Sequence, residues 1–204
     1  MNKKTIMLAS TLLLAQIAPN VSAGLVDLSV TSASNTYQVG DVFTVLVEGS
    51  WTPDKVTNDI FDDLITGGIE LSFNANTLQI NTAGNGISLL APADFDAITG
   101  TVSNTLGTVD TTGFYSFTGI QPDPGAFQMA SFEFIAIAGG SADINVFSTT
   151  DRDWEWFDGE SNIPTVNISN TAINVSAVPV PAAIWFMATG LISFMGFRRK
   201  AAVC

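Results

Sequence analysis

The segment DVFTVLVEG, residues 41–49, alternates apolar and polar side chains. In an extended strand Phe43, Val45 and Val47 lie on one face, because successive side chains point to opposite sides. No long stretch of residues 24–177 shows the 3.6-residue apolar period of an amphipathic helix. The segment therefore predicts a β-strand with one buried face.

The same alternation recurs on both sides of this strand, between turns rich in Gly, Asn, Asp, Ser and Pro. The further predicted core positions are Val26, Leu28, Val30, Ile69, Leu71, Phe73, Leu78, Ile80, Ile144, Val146, Val166, Ile168, Ile173 and Val175. Residues 127–138 are apolar on both faces, which indicates a central strand covered on both sides, or one with a bulge. Eight or nine strands in about 150 residues, without a repeat, predict an all-β fold, a single antiparallel β-sandwich over residues 24–177.

Residues 94–125 are less regular. Their polar composition, rich in Gly and Thr, predicts long loops, although Phe114, Tyr115 and Phe117 indicate one strand of open phase. Trp51 is expected to be a packing residue.

Residues 59–66 predict a helical turn. Its apolar pair, Ile60 and Phe61, is expected to face the core. Its acidic residues are expected to be solvated, with cation binding as the alternative: Asp59, Asp62 and Asp63.

The first 23 residues have the three parts of a secretory signal peptide. Lys3 and Lys4 precede an apolar stretch, residues 6–18, and Val21-Ser22-Ala23 is a small-residue cleavage site. The alternative is a buried first helix, which Pro19-Asn20 would interrupt. Export is therefore predicted, with Gly24 as the first residue of the mature chain.

The C-terminal region contains a largely apolar run, residues 182–197, followed by Arg198, Arg199 and Lys200. As a helix this run is about 24 Å long, a little short of a ~30 Å hydrocarbon core. It predicts a transmembrane helix whose basic end stays in the cytoplasm. The alternative is a buried C-terminal helix of a soluble domain.

A proline-rich motif precedes this run, and its residues are Val178, Pro179, Val180, Pro181, Ala182 and Ala183. With the apolar run and the basic end, residues 178–204 resemble a PEP-CTERM sorting signal of the Val-Pro-x-Pro-Ala type. The founding version carries Pro-Glu-Pro, and Val180 stands at the Glu position. The resemblance implies retention in the inner membrane of a Gram-negative cell and cleavage by an exosortase. A proline-rich linker before a permanent anchor is the alternative.

A second resemblance covers most of the middle region. The segment YQVGDVFTV at 37–45, GIELSF at 68–73 with Leu78 after it, and residues 127–140 are similar to cohesin-type and related carbohydrate-binding sandwiches. The resemblance implies a jelly-roll of about nine strands. Cohesins of cellulose-degrading assemblies bind dockerin modules, but no residue of this sequence is identified as facing a dockerin.

Composition excludes several classes of function. Between residues 24 and 181 only Lys55 and Arg152 oppose all 19 acidic residues, so a nucleic acid would be repelled. The chain has no histidine, which excludes a Ser-His-Asp triad and His-ligated zinc. Its single cysteine, Cys204, cannot form an intrachain disulfide. No pair of carboxylates is marked for glycoside hydrolysis, so the chain is predicted not to be an enzyme.

The segment DRDWEWFDGE, residues 151–160, carries five acids and three aromatic residues. Its carboxylates suit a Ca²⁺ ion, which takes six to eight oxygen ligands, and a solvated acidic loop is the alternative. The candidate calcium ligands are Asp151, Asp153 and Asp158. Trp154 and Trp156 share one side of an extended segment and could form a sugar platform, with packing into the core as the alternative.

Together these features predict a noncatalytic exported protein of the cell surface or extracellular matrix. It is held in the inner membrane, processed by an exosortase, and acts as a binding or structural module. Its predicted partners are the exosortase, the inner membrane, and an extracellular polysaccharide or another surface protein. The alternatives are a carbohydrate- or calcium-binding module and a secreted glycoside hydrolase. No cofactor is predicted apart from Ca²⁺.

Overall fold

The computed structural model describes residues 24–56, 60–122 and 125–177, and near the C-terminus residues 187 and 189–192. The predicted signal peptide and the sorting-motif residues 178–183 and 198–200 lie outside the described residues. The described part of the tail is helical. No helix among the described residues is long and apolar enough to cross a bilayer.

Two β-sheets enclose one hydrophobic core, which confirms the predicted all-β sandwich. The strands of the six-stranded sheet are β1 (Leu25–Ser32), β3 (Val42–Thr52), β5 (Leu78–Ile80), β6 (Ile87–Leu89), β10 (Ala126–Ala136) and β13 (Thr165–Ser169). The strands of the eight-stranded sheet are β2 (Thr36–Gln38), β4 (Leu64–Phe73), β7 (Asp96–Ile98), β8 (Val102–Ser103), β9 (Thr108–Ile120), β11 (Gly140–Ser148), β12 (Phe157–Asp158) and β14 (Thr171–Ser176).

Along the main path of each sheet, neighbouring strands are not consecutive in the sequence. The six-stranded sheet runs β13, β1, β3, β10, β5, with β6 also paired to β10. The eight-stranded sheet runs β2, β14, β11, β4, β9, β7, with β12 on β4 and β8 on β9. Of the fourteen strands found in the described residues, eight are five residues or longer, which is close to the predicted number.

The prediction that the sandwich is antiparallel throughout is wrong at its ends. β13 pairs with β1 in parallel, and β14 pairs with β2 in parallel. The chain changes sheets at Asn170, between β13 and β14, so both final strands lie beside the first strands of the fold. The Asn170 side chain accepts a hydrogen bond from the Val146 amide at 2.8 Å.

The predicted core is confirmed strand by strand. Phe43, Val45 and Val47 are buried on β3, as are the alternating positions of β1, β4, β5, β11 and β14. On β13, Val166 and Ile168 are partly buried and pack against the core. β10 is central, between β3 on one side and β5 and β6 on the other, and its register shifts between Gln128 and Ala130. Of the two alternatives predicted for this strand, the bulge is present, while one face of the strand is buried and the other is only partly buried.

The prediction of long loops over residues 94–125 is wrong for much of this region. β9 is the longest strand of the fold, with 13 residues. Its polar residues are buried because their hydroxyls find partners: Thr111 Oγ1 lies 2.9 Å from Thr149 Oγ1, and Thr112 Oγ1 donates to the Thr99 carbonyl. Two register shifts against β4 also interrupt its alternation.

The predicted helical turn exists as a short 3-10 helix, Ile60–Asp62, but its orientation was predicted wrongly. Asp62 and Asp63 are buried, and Phe61 is 48% exposed. The Trp51 indole donates to the Asp62 carbonyl at 2.7 Å, and the Gly159 amide donates to the Asp63 carbonyl. These bonds hold the backbone against the core. Trp51 itself is buried, as predicted.

Candidate binding surface

A depression of about 430 Å³ lies on the outer face of the eight-stranded sheet, the side turned away from the core. Register places Phe147 opposite Glu70, and Ser72 opposite Thr108, while Val146 and Leu71 point inward. Phe147 is 50% exposed. The lining residues are Glu70, Leu71, Ser72, Thr101, Ser103, Thr108, Val109, Asp110 and Phe147. We call this depression the central depression.

Glu70 is held in place by the neighbouring strand and loop. Its Oε1 accepts a hydrogen bond from the Thr149 hydroxyl at 3.2 Å and another from the Thr150 amide at 3.3 Å. Thr149 is bonded in turn to Thr111 of β9. The carboxylate is therefore positioned before any partner arrives, which reduces the entropy lost on binding.

The outer face of the six-stranded sheet is different in character. Its polar side chains bond to each other: Asn167 donates to Asp27 at 2.8 Å, and Thr31 donates to Glu48 at 3.4 Å. Among the described residues of its strands, Val42 is the one large apolar residue that is exposed.

The loop at residues 151–160 is shaped by two of its own carboxylates. Asp151 caps the 3-10 helix Arg152–Trp154 by accepting from the Asp153 amide at 3.1 Å. Asp158 is buried and accepts from the amides of Glu160 and Asn162 and from the Asn162 side chain. These two carboxylates organise the loop backbone.

The predicted calcium site is not assembled. Among the described residues, no three His, Cys, Asp or Glu side chains come together in a way that could hold a metal ion. Asp151, Asp153 and Asp158 are all described, and two of them are engaged by loop amides. The physical reason is that the segment turns through a 3-10 helix and its carboxylates do not converge.

The predicted two-tryptophan platform is also wrong. Trp156 is 1% exposed, and its indole donates to the Gly68 carbonyl at 2.9 Å. Its ring fills the space above Gly67, where an added Cβ would lie 2.4 Å from a ring carbon. The alternative, packing into the core, is therefore correct for Trp156.

Trp154 lies on the other side of the sheet. It is half-buried, and an added Cβ at Gly113 would lie 2.8 Å from its ring. Gly68 and Gly113 are paired, so the absence of side chains on β4 and β9 creates the seat for this residue. The two tryptophans are on opposite faces because the 3-10 helix breaks the alternation of an extended chain.

A cluster of aromatic residues outside this loop was missed by the sequence reasoning. The rings of Phe95, Tyr115 and Phe117 lie within 6 Å of one another, centroid to centroid, and two of them are exposed. Phe95 precedes β7, which pairs with β9 and so brings it to the other two. The sequence signal that could have found the cluster is the two-residue spacing of Tyr115 and Phe117, which puts both rings on one face of a strand. The sequence did not show which face of β9 is buried.

The Asp94 carboxylate holds the backbone next to this cluster. Its Oδ1 accepts from the Phe117 amide at 2.8 Å, and its Oδ2 accepts from the Thr118 amide at 3.2 Å. A hydrogen bond from the Ser116 side chain is the main cause that lowers the pKa of Asp94, and the two amides act in the same direction. The carboxylate therefore stays charged and keeps its acceptor role at neutral pH.

Comparison with known proteins shows the class of fold. No family model matches the chain, and no curated protein matches it. Solved cohesin structures do. A chain of a type I cohesin–dockerin complex from Clostridium thermocellum has a TM-score of 0.52 at 7% identity, covering 77% of this chain and 96% of that one.

Two further structures agree. A chain of a type II cohesin–X-dockerin complex from Acetivibrio cellulolyticus has a TM-score of 0.51 at 14% identity, covering 74% of this chain and 99% of that one. A type I cohesin from Pseudobacteroides cellulosolvens has a TM-score of 0.50 at 15% identity, covering 77% and 96%. The predicted cohesin-like fold is thus confirmed, and at these identities the likeness concerns the fold.

Proposed function

We propose that this chain is a noncatalytic binding module displayed at the cell surface, and that it holds a protein partner on the outer face of the eight-stranded sheet. The observation that carries the proposal is the central depression with its half-exposed Phe147. The similar structures include cohesins solved in complexes with dockerins. These complexes support the proposal that a module of this fold binds a protein partner.

The chemistry of the central depression suits a protein. Phe147 offers an aromatic anchor, and Ser72, Thr101 and Thr108 surround it with hydroxyl groups. An apolar centre with a polar rim is the usual anatomy of a protein interface. None of the described lining residues is a Lys or Arg, and Glu70 and Asp110 are acidic. The partner is therefore expected to present basic residues.

Cross-linking tests the partner face. A photoreactive phenylalanine analogue replaces Phe147 in one variant and Thr44, on the exposed part of β3, in the control. Each full-length variant is illuminated on the cells that produce it. We expect a discrete cross-linked polypeptide from position 147 and none from position 44. Equal products from both positions, or none from 147, would contradict the proposal.

We further propose that the tail sorts the protein. The support is the motif at residues 178–183 followed by an apolar run and Arg198, Arg199 and Lys200. In the described part of the tail, Met187, Leu191 and Ile192 are exposed. Apolar surface left in water costs about 25 cal/mol per Å², which an inner membrane would relieve. An exosortase would then release the protein to the cell surface or extracellular matrix.

Mass spectrometry tests the sorting. The full chain is produced in a host with an exosortase and in the same host lacking it, and the intact masses are compared. We expect a shortened tail only when the enzyme is present. A variant with Pro179→Ala and Pro181→Ala should keep its full tail in both hosts, because the stiff extended segment is lost. Identical masses for the unmodified chain in both hosts would contradict this part of the proposal.

A further inference from the structure

Three aromatic rings, that of Phe95 before β7 and those of Tyr115 and Phe117 on β9, form a group that we call the cradle. Phe95 lies 4.7 Å from Tyr115 and 4.6 Å from Phe117, between ring centroids, and Tyr115 lies 5.9 Å from Phe117. Phe95 is 56% exposed and Phe117 is 66% exposed. Large aromatic side chains are usually much more buried than this. A cluster with two rings more than half exposed is therefore a candidate for a contact with a ligand.

The cradle is held in its shape by backbone hydrogen bonds. Asp94 accepts from the amides of Phe117 and Thr118, and the Phe95 amide donates to the Tyr115 carbonyl at 3.1 Å. The rings are inclined to each other by 46° to 69°. The three rings are therefore not coplanar and do not form a flat strip.

A second depression, of about 270 Å³, adjoins the cradle through Tyr115. We call it the side depression, and its lining residues are Ile65, Thr66, Tyr115, Asp153, Phe157 and Ser161. Thr66 is buried, and its Oγ1 has no hydrogen-bond partner among the described residues. This hydroxyl is closed off from solvent, and the exposed polar side chains of the lining are those of Asp153 and Ser161.

We propose that the cradle and the side depression together form a binding site for a neutral saccharide chain. Ring faces can cover the apolar C–H face of a sugar, while the exposed hydroxyl of Ser161 and the exposed carboxylate of Asp153 can bond its hydroxyl groups. The volume is just below the ~300 Å³ at which pockets for larger ligands begin. It suits one sugar unit, with the chain continuing over the inclined rings.

The negative charge of the site and of the chain favours a neutral saccharide over an anionic one. The described residues of the side depression include Asp153 and no Lys or Arg. Residues 24–181 carry 19 acids against two cations, so an anionic polysaccharide would be repelled. Because the three rings are not coplanar, the site fits a single soluble chain better than the flat face of a crystalline polymer.

The site is separate from the proposed partner face. The side depression lies at the start of β4 and the central depression at its end, with no lining residue in common. Trp154 lies between them, above Gly68 and Gly113. Saccharide binding can therefore fail while partner binding holds, and the reverse is also true.

Calorimetric titration of the full-length protein tests the proposal. The probes are neutral hexasaccharides of cellulose, xylan, mannan and laminarin, and an oligogalacturonate hexamer as the anionic comparison. We expect binding of at least one neutral probe, weakened at least tenfold by Phe117→Ala. Phe117→Tyr should retain it, because the ring face remains. Leu106→Ala is the matched control, since Leu106 is an exposed apolar residue on another loop.

Several results would overturn the proposal. These are no heat with any neutral probe, tighter binding of the anionic probe, or binding that Phe117→Ala leaves unchanged. Thermal unfolding of each variant shows that a loss of binding is not a loss of folding. A photoreactive residue at position 117 that captures a polypeptide on cells would mean that the cradle is a protein interface, and the saccharide site would be rejected.

Discussion

The two outer faces of the sandwich differ in how their side chains are used. On the six-stranded sheet, Asp27 and Glu48 are occupied by hydrogen bonds to neighbouring strands. On or beside the eight-stranded sheet, Phe95, Ile98, Phe117 and Phe147 are exposed. A face whose polar groups already have partners gains little from a ligand. A face with exposed rings gains from each apolar contact that a ligand covers.

The loop at residues 151–160 strengthens the contrast, because it lies over β4 and β9 of the eight-stranded sheet and reaches the other sheet only through the core, where Trp156 meets Phe127. Trp156 enters the core through the gap above Gly67, and Trp154 rests on the outer face above Gly113. The same sheet therefore carries two depressions with a ridge between them. On the six-stranded sheet, the loop after β5 meets the outward-facing Glu133 of β10 through the polar side chains of Asn81 and Asn85.

The largest expected effect comes from removing the loop's anchor. Trp156→Ala leaves a cavity against Phe114 and Phe127 and should lower the free energy of unfolding by about 3–5 kcal/mol. Trp154→Ala should cost much less, because its ring is half-buried. Urea unfolding of both variants measures the difference. Equal losses would mean that the loop is not held through the core.

The next effect concerns the partner face. Phe147→Ala removes a half-exposed ring from the central depression and should weaken binding of the cross-linked partner by about 2 kcal/mol, or about thirtyfold in Kd. Thr44→Ala, on the opposite sheet, should leave Kd unchanged. Titration with the partner measures both. If Thr44→Ala weakened binding as much, the contrast between the faces would be lost.

A smaller effect is expected on the pH dependence of stability. Asp94 has a pKa below its ordinary value of 3.8 in the folded chain, so its hydrogen bonds stabilise the fold above that pH. This contribution is lost as the pH falls through the lowered pKa. Asp94→Asn should therefore be less stable than the unmodified chain near neutral pH, with the gap closing at low pH. Thermal unfolding against pH measures it.

The matched control for the thermal unfolding of Asp94→Asn against pH is Asp143→Asn, at an exposed position of β11. It should show no such gap. Proton exchange of the Phe117 and Thr118 amides should also speed up in Asp94→Asn, since both donate to this carboxylate. A gap that persists unchanged to low pH would contradict the role given to Asp94.

The smallest effect is expected on the six-stranded sheet. Asn167→Ala removes an exposed hydrogen bond to Asp27 and should change the free energy of unfolding by less than about 0.5 kcal/mol. Partner and saccharide binding should both stay the same. A tenfold loss of either would show that this face is used after all.

Much of the fold could be predicted from alternation. β1, β3, β4 and β11 each place apolar residues at every second position, and the bulge of β10 was visible as apolar residues on both faces. β9 could not be read, because its buried positions include Thr111, Thr112 and Ser116. Hydroxyl groups can be buried only where partners exist, and those partners come from distant parts of the chain.

The candidate site was less readable than the fold. The acids and tryptophans of residues 151–160 stand out by composition, but the 3-10 helix sends Trp154 and Trp156 to opposite faces. The aromatic cradle depends on β7 pairing with β9, which joins Phe95 to residues about twenty positions later. Local sequence does not specify such a pairing.

The parallel ladder between β14 and β2 bears on mechanics. β14 ends at Ser176, one residue before the end of the described sandwich, and it lies between β2 and β11. A pull on the chain beyond residue 177, directed along β14, loads the bonds to both neighbours in shear. Many bonds must then yield together instead of opening one after another from an end. A tether attached there could withstand flow or traction without unravelling the fold.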